Sequence, residues 1–341
     1  KPLEVTGSSV AAIGWEKRFT TLNTTSYAAF GQATYQLTDR TRMTAGLRYT
    51  HDTQSVRARY ERPNNPMAVV IPHKEETWGE PTWRLGVDHR LNDNVLLYAS
   101  YNRGFKSGTY SASAPATNAV NPEYIDAFEI GQKADLFGRT LRINASAYYY
   151  AYDNLQLTSI TGVPPLAQLL NAAEAEIYGM ELEVDWLPTN NLLLRAALSL
   201  NEATYSSFPN GPMSTPRPTG GSTTAYVDLS GYDIVYTPDW TLNLAAEYTV
   251  PSASGDIVFA ASAFFSDAYS FVPSGRLSHP SYSVVNGSIT WTPGNGDVGL
   301  QLWARNLFDE QYWAYGQEVS AADTVTAAPP RTFGVAVKYA F

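Results

Sequence analysis

The chain has 341 residues, a formal net charge of −9 and no cysteine, which excludes disulfides, thiol catalysis and cysteine-based zinc sites. Its Lys and Arg residues are scattered singly, so the basic footprint of a nucleic-acid binder is missing. Aromatic residues make up 13% of the chain, and no stretch approaches the ~20 continuous apolar residues of a membrane-spanning helix, so any passage through a membrane has to be made by strands.

The chain opens Lys1-Pro2-Leu3-Glu4, without an initiator Met or the pattern of a secretory signal, which reads as truncation or processing. Val10 to Trp15 read as the tail of an earlier strand, so residues 1–23 are set apart as the remnant or loop of a preceding barrel strand and 24–341 as one β domain. From there about thirteen strands follow, near 27–37, 41–50, 83–91, 94–103, 124–136, 140–152, 176–187, 191–202, 240–250, 256–265, 282–292, 297–307 and 331–341. Each shows period-two alternation, which places successive side chains on opposite faces. Met43, Ala45, Leu47 and Tyr49 oppose Arg42, Thr44, Arg48 and Thr50, and Tyr178, Met180, Leu182, Val184 and Trp186 oppose Gly179, Glu181, Glu183 and Asp185. Trp240, Leu242, Leu244, Ala246 and Tyr248 oppose Thr241, Asn243, Glu247 and Thr249, and the chain closes on Phe333, Val335, Val337, Tyr339 and Phe341.

A soluble antiparallel sheet also alternates, and three features favour a membrane barrel over it. Charges keep off the apolar face, where a mid-bilayer Lys or Arg costs roughly 2–4 kcal/mol. Aromatics such as Trp186, Trp240, Tyr248, Trp291, Tyr339 and Phe341 stand at strand ends, as interface girdles require. Tight turns near 38–40, 92–94, 137–139, 188–191, 251–256 and 293–297 alternate with long polar connections near 51–77, 104–122, 153–172, 203–231, 266–280 and 309–328, the asymmetry of outer-membrane barrels with short periplasmic turns and long extracellular loops. The expected fold is therefore an all-β, antiparallel transmembrane β-barrel with its carboxy terminus on the periplasmic side.

Enzymatic constellations are not found. His51, His73, His89 and His279 match no metal-ligand spacing, and Gly104-Phe105-Lys106-Ser107 lacks the Gly-Lys pair of a phosphate loop. Glu181, Glu183 and Asp185 allow a cation or acid–base reading, against which stands a lumenal wall paired with Arg142 and Arg195 on neighbouring strands. Glu129, Lys133, Glu247, Arg305 and Lys338 are read as lumen-lining in the same way. Arg103 and Lys106, where a strand passes into an external loop, are the candidate contacts to an anionic ligand, the plainer reading being a solvated strand end. Tyr148, Tyr150 and Tyr152 are assigned to the upper aromatic girdle in preference to a ligand-stacking role.

Several segments, in order, resemble the barrel of TonB-dependent receptors. Tyr101-Asn102-Arg103-Gly104-Phe105-Lys106-Ser107-Gly108 is similar to the family's strand-end motif, and Asn121-Pro122-Glu123 with Glu129-Ile130-Gly131-Gln132-Lys133 resembles the strand that follows. Asn171-Ala172 leading to Gly179, Glu181 and Glu183 fits the next pair, and Asn306-Leu307-Phe308-Asp309 with Tyr312, Pro330-Arg331 and Phe341 resembles the closing hairpin. The resemblance covers roughly 24–341 and implies a transporter of about 22 strands with a plugged lumen, of which this chain carries the carboxy-terminal 13–14. It also implies energised uptake of a scarce ligand such as a ferric siderophore, cobalamin or glycan. The implied partners are outer-membrane lipid, a plug domain not included here, the TonB-ExbB-ExbD complex acting through that plug, and the barrel assembly machinery reading Tyr339 and Phe341. No cofactor and no enzymatic activity are implied. A passive porin and a secretion pore remain the competing classes.

Overall fold

In a computed structural model the described residues are 3–11, 14–62, 65–161, 166–294, 298–318 and 323–339; Phe341 lies outside them. Twenty strands run in chain order: β1 (Leu3–Ala11), β2 (Gly14–Thr38), β3 (Thr41–Arg62), β4 (Asn65–Asn92), β5 (Val95–Lys106), β6 (Glu123–Leu136) and β7 (Leu141–Thr161). There follow β8 (Leu166–Thr189), β9 (Leu192–Ser207), β10 (Gly211–Pro216), β11 (Ser222–Val227), β12 (Trp240–Val250), β13 (Asp256–Ser266) and β14 (Tyr269–Ser270). The last are β15 (Ser278–His279), β16 (Tyr282–Thr292), β17 (Val298–Arg305), β18 (Trp313–Glu318), β19 (Asp323–Ala327) and β20 (Thr332–Tyr339). Fourteen form one antiparallel meander in the order β1 to β9, β12, β13, β16, β17, β20, while β10–β11, β14–β15 and β18–β19 are small hairpins within the long connections.

The short turns close with local side-chain acceptors. The Thr41 amide donates to Thr38 Oγ1 at 3.0 Å, and the Asn94 amide donates to Asn92 Oδ1 at 2.9 Å. At 137–139 the chain reverses through three residues of positive φ, with Gly138 at 67° in the middle.

Alternation along each strand produces two unlike faces. Across β12, β13, β16, β17 and β20, Tyr248, Phe259, Ile289, Leu302 and Val335 stand in register, and all five side chains are exposed. Leu47, Leu85 and Ile130 continue the apolar face on β3, β4 and β6, with Ile130 61% exposed. Buried apolar residues are few and gather beyond the strands' membrane-length portion. Ala173, Ala175, Tyr205, Phe208 and Leu229 form one cluster, with Tyr205 fully buried. An apolar surface this wide in water would carry the full cost of hydration, so its solvent is hydrocarbon.

Aromatics bound that surface at both ends. Tyr27 and Tyr35, Tyr178 and Trp186, and Trp240 and Tyr248 are each separated by eight positions on the apolar face, and all six are exposed. At ~3.3 Å per residue that spacing is roughly 26 Å along the strand, the scale of a bilayer's apolar band.

The ribbons exceed the expected lengths. β3 and β4 remain paired to Arg62↔Asn65, and β7 and β8 to Thr161↔Leu166, so two of the expected loops, 51–77 and 153–172, are mostly strand. Above the girdle the outward side chains are mostly polar, with Phe19 and Val70 as exceptions, so the period-two contrast fades while the backbone pairing continues. At the amino terminus β1 pairs with β2 from Leu3↔Leu22 to Ala11↔Gly14, and β2 runs across the expected boundary at 23/24.

Leu244 faces outward at the middle of β12, 41% exposed, while Asn243 lies on the other face at the same depth. Leu244→Arg is expected to cost about 2–4 kcal/mol and to reduce the heat-modifiable folded band on a gel, whereas Asn243→Arg is expected to leave it unchanged.

Candidate functional site

The face opposite the apolar belt carries the charges. On β6, β7, β8 and β9, Asp135, Arg142, Asp185 and Arg195 form a row in register, with Arg142 Nε 2.8 Å from Asp135 Oδ1 and Arg195 Nε 3.4 Å from Asp185 Oδ1. Arg142 thus pairs with Asp135 on its own hairpin, while Glu183 accepts from Asn144 Nδ2 at 3.2 Å. Glu181 stands opposite Ser146 and Ser199 on the same face. Among the described residues no group of three or more acidic or His side chains has a geometry that holds a metal ion.

One turn of the ladder higher, Tyr98 donates to Glu129 Oε1 at 2.5 Å, and Lys133 Nζ sits 5.9 Å from the Tyr98 ring centroid. The Tyr98 ring lies over Gly131 directly across the pair; a Cβ there would fall 2.6 Å from the phenol oxygen. Tyr148 covers Gly179 in the same manner, with 2.7 Å from its hydroxyl to the would-be Cβ. These two glycines are required by the close approach of a ring, since their φ values are ordinary.

A groove of about 430 Å³ on this face is bordered by Arg195, Glu247, Asn286, Gln301, Trp303 and Arg305, which brings together three of the residues expected to line a lumen. Arg305 stacks over the Trp303 ring at 5.5 Å. Lys338, opposite Gly299 on β17, stands on the same face farther down.

The two candidate ligand contacts separate. Lys106 is on the charged face, its Nζ 3.6 Å from Glu123 Oε2. Arg103 is odd-numbered in β5 and shares the outward face with Tyr101. It is ion-paired with Asp126 and flanked by the rings of Trp83 at 5.8 Å and Tyr124 at 4.9 Å, while Tyr101 donates to Asp126 Oδ1 at 2.8 Å. Arg103 therefore tops the girdle and is turned away from the charged face. The tyrosine assignment is corrected by the same parity: Tyr148 and Tyr150 stack at 4.7 Å on the charged face with Tyr152, and the girdle is built from Trp83, Tyr101, Phe128 and Tyr149.

Above the girdle the connections are bolted to one another. The 107–120 segment packs on the inward side of β3, where buried Gln54 Oε1 accepts from Thr109 Oγ1 at 2.8 Å and from the Tyr110 amide at 2.7 Å. Lys74 Nζ donates to the Ala116 carbonyl at 2.8 Å, and on the other flank Gln156 Nε2 donates to the Ser107 and Asn121 carbonyls at 3.0 Å each. The segment straps the tall β3–β4 ribbon to the tall β7–β8 ribbon across the notch left by the shorter β5 and β6.

A second assembly joins the last loops. Tyr269, Phe271, Tyr282, Tyr312 and Trp313 surround His279, which is 1% exposed, and Tyr236 packs behind Tyr269 and Phe271. The Trp313 amide donates to His279 Nε2 at 2.8 Å, which fixes the proton on Nδ1, facing the Pro280 carbonyl. Arg276 closes the assembly with both Asp323 oxygens at 2.7 Å and with Glu318 at 2.6 Å. The Glu318 contact is an ion pair between the guanidinium and a mostly buried carboxylate. Hydrogen bonding from Arg276 holds the Asp323 carboxyl below its usual range, whereas burial pushes Glu318 up.

These aromatic and loop residues had no sequence signal: Phe271, His279 and Trp313 sit in connections without periodicity.

A sheet with a hydrocarbon-facing outer surface, two aromatic girdles and a charged inner face is a membrane-spanning β-barrel wall. The family model described as TonB dependent receptor-like, beta-barrel matches residues 4–307, and the chain belongs to that family. Its barrels are outer-membrane proteins. The chain is 22% identical over 324 residues to the pesticin receptor of Yersinia pestis, covering 92% of this chain and 43% of that protein. It is 24% identical over 205 residues to the rhizobactin receptor of Rhizobium meliloti (strain 1021), covering 51% and 26% respectively. The crystal structure of the ferric yersiniabactin uptake receptor FyuA from Yersinia pestis superposes with a TM-score of 0.79 at 18% identity, over 96% of this chain and 47% of that one. The chain thus spans less than half the length of these relatives.

Two outcomes follow from the loop geometry. Gln54→Leu leaves the buried Tyr110 amide unpaired, a loss of about 1–3 kcal/mol, and proteolytic nicking within 107–120 is expected to rise roughly 5- to 150-fold. Because the folded Asp323 carboxyl is depressed, its stabilising contribution is complete above the ordinary Asp value of ~3.9 and is lost as pH falls through the lower folded value. Glu318 acts in the opposite sense: burial disfavours its ionised form, so its contribution is lost as pH rises through the ordinary Glu value and the higher folded one. Hydrogen exchange of 313–327, corrected for intrinsic rate, is expected to quicken below about pH 4, and Asp323→Asn to reproduce that state at pH 6.

Proposed function

We propose that the chain is the carboxy-terminal barrel portion of a receptor for energised uptake of an iron-siderophore complex, with short turns and carboxy terminus periplasmic and tall ribbons extracellular. The observation that carries this reading is the pairing of a lipid-facing outer belt with a charged inner face, in a chain of a family whose matched relatives are named as pesticin, rhizobactin and ferric yersiniabactin uptake receptors. Residues 24–341, together with β1 and the start of β2, then belong to one barrel domain, and the plug is supplied from outside this segment.

In this role Glu129, Lys133, Arg142, Glu181, Glu183, Arg195, Glu247, Arg305 and Lys338 line the lumen. Their charges offer docking points to a plug that moves when the TonB-ExbB-ExbD complex pulls on it. Lys106, held by Glu123 at the inner rim, is the remaining candidate for ligand contact from the strand end at 101–108; Arg103 instead anchors the wall at the interface. Tyr339 and Phe341 serve the barrel assembly machinery as a terminal signal.

A passive channel would narrow its pore by folding a loop inward at membrane depth. The inward strap 107–120 packs against Gln54, Val56 and Ala58, which lie past the girdle residue Tyr49 and outside the membrane band.

Cells carrying the gene are expected to accumulate a ferric siderophore under iron limitation, to lose that uptake on deletion of the gene, and to lose it equally when the proton gradient is dissipated. Uptake that persists without the gradient would establish a passive channel instead.

A further inference from the structure

Along the outward face of β2, β3 and β4 the chemistry changes with height. Membrane-depth positions are apolar: Tyr35, Ala33 and Ala29 on β2, Met43, Ala45 and Leu47 on β3, and Val87 and Leu85 on β4. Tyr27, Tyr49 and Trp83 mark the interface. Next come Thr25 and Asn23 on β2, Thr53 and Ser55 on β3, and Thr77 on β4, hydroxyl and amide groups in register that share their level with one carboxylate, Glu75 opposite Ser55; Thr53 and Thr77 touch oxygen to oxygen at 3.1 Å, and Thr21 stands opposite Arg57 at the top of the field. Above this field stand the exposed Lys17, Arg57 and Arg59, with Arg59 4.9 Å over the Phe19 ring and 2.9 Å from Glu61. The inward positions between them, Gln54, Val56 and Ala58, are buried under the 107–120 strap, so this face is rigidly backed.

A ribbon standing in plain water would be expected to mix Lys with Glu from the girdle upward, since charge is what keeps an exposed sheet soluble. Here several successive outward levels carry no charge on β2 and β3, followed by a basic crown. From Tyr49 to Arg57 is eight residues, roughly 20 Å of height at ~3.3 Å per residue and ~40° tilt. We propose that this face binds the headgroup of a phosphorylated glycolipid of the outer leaflet, its Thr, Ser and Asn groups meeting sugar hydroxyls and Arg57, Arg59 and Lys17 meeting phosphates. Hydroxyl and amide side chains exchange donor and acceptor roles with sugars, and the planar guanidinium matches a phosphate with two parallel hydrogen bonds. Two carboxylates lie within the patch, Glu61 opposite Lys17 and against Arg59 in the crown, and Glu75 opposite Ser55 and beside His73 in the field, which leaves Arg57 as the crown's guanidinium without an ion pair among the described residues.

The inference rests on the ribbons being extracellular, as in the proposed function, but not on what is transported. The test is native mass spectrometry and titration of the detergent-purified protein with rough-type lipopolysaccharide bearing phosphorylated core sugars. The same material after dephosphorylation and phosphatidylglycerol micelles serve as the other probes. The phosphorylated glycolipid is expected to bind about 10-fold or more tightly than the dephosphorylated one. The double variant Arg57→Glu with Arg59→Glu is expected to remove that difference, and Arg84→Glu, on the inner face of β4, to keep it. Arg57→Gln with Arg59→Gln gives a milder pair should charge reversal impair folding, which heat-modifiable migration reports. Equal binding of both glycolipids to the unaltered protein overturns the proposal. So does a loss of phosphatidylglycerol binding as large as the loss of glycolipid binding, which would show an unselective basic patch. Thr25→Cys labelled on intact cells by a membrane-impermeant maleimide checks orientation separately, so a reversed barrel and a lipid-indifferent face give different results.

Discussion

Every backbone N–H and C=O that enters hydrocarbon must find its partner within the protein, because water is absent and each unmet group costs several kcal/mol. In this chain the strands within the sheet meet the obligation by ladders to a neighbour on either side, and the side chains are left free to answer to two solvents. The row Tyr248, Phe259, Ile289, Leu302, Val335 is what that freedom produces: residues that would form the core of a soluble protein are turned outward, across five strands, at one depth. The interior is correspondingly lined with Asp135, Arg142, Asp185 and Arg195, in a row whose ion pairs alternate in sign from strand to strand. Such exposed pairs add little stability individually, and their value lies in keeping a wettable wall beside an oily one.

The conventional hydrophobic core is displaced to the end of the ribbons. Tyr205, Phe208 and Leu229 pack on Ala173 and Ala175, Phe271 and Trp313 enclose His279, and the 107–120 strap is stitched to Gln54 and Gln156. Beyond the bilayer the chain is again a protein in water, and it stabilises itself in the ordinary way, by burying rings and satisfying amides. Connections held so firmly are suited to present a defined surface. Arg276, gripping Asp323 and Glu318 across two loops, shows that the mouth is built by contacts between loops and not by each loop separately.

How much of this was legible in the amino-acid order depends on which solvent a residue faces. Within the membrane band, Leu244 and Asn243 differ in polarity because their surroundings do, so strand positions, faces and short turns could be read directly. Above the band Thr53 and Gln54 differ in burial but not in polarity: one faces out, the other lies under the strap. Period two vanishes from the composition while it persists in the backbone, and 51–77 and 153–172 looked like loops for that reason. Contacts such as Trp313 with His279 join residues 34 apart through irregular chain and have no local signature.

Parity also decides the candidate site. Arg103 and Lys106 are close neighbours in one conspicuous segment, yet three positions along a strand is an odd step, so one side chain meets the interface and the other meets the interior. Tyr148 and Tyr149 divide in the same way: the first covers Gly179 on the inner wall, and the second donates to Glu176 on the outer one. A segment-level resemblance assigns such residues a common role that the pleat cannot give them. The same reasoning bears on the sheet's margins. Among the described residues β1 and β20 each have one neighbour, so their other edges carry a line of unmatched amides and carbonyls. Thr332 to Tyr339 lies at membrane depth, in register with β17. In the bilayer that edge must be met by the open edge of β2 below Leu22 or by another strand, since β1 pairs only with the Gly14–Leu22 end of β2, above the girdle, and hydrocarbon supplies no substitute for a hydrogen-bonding partner.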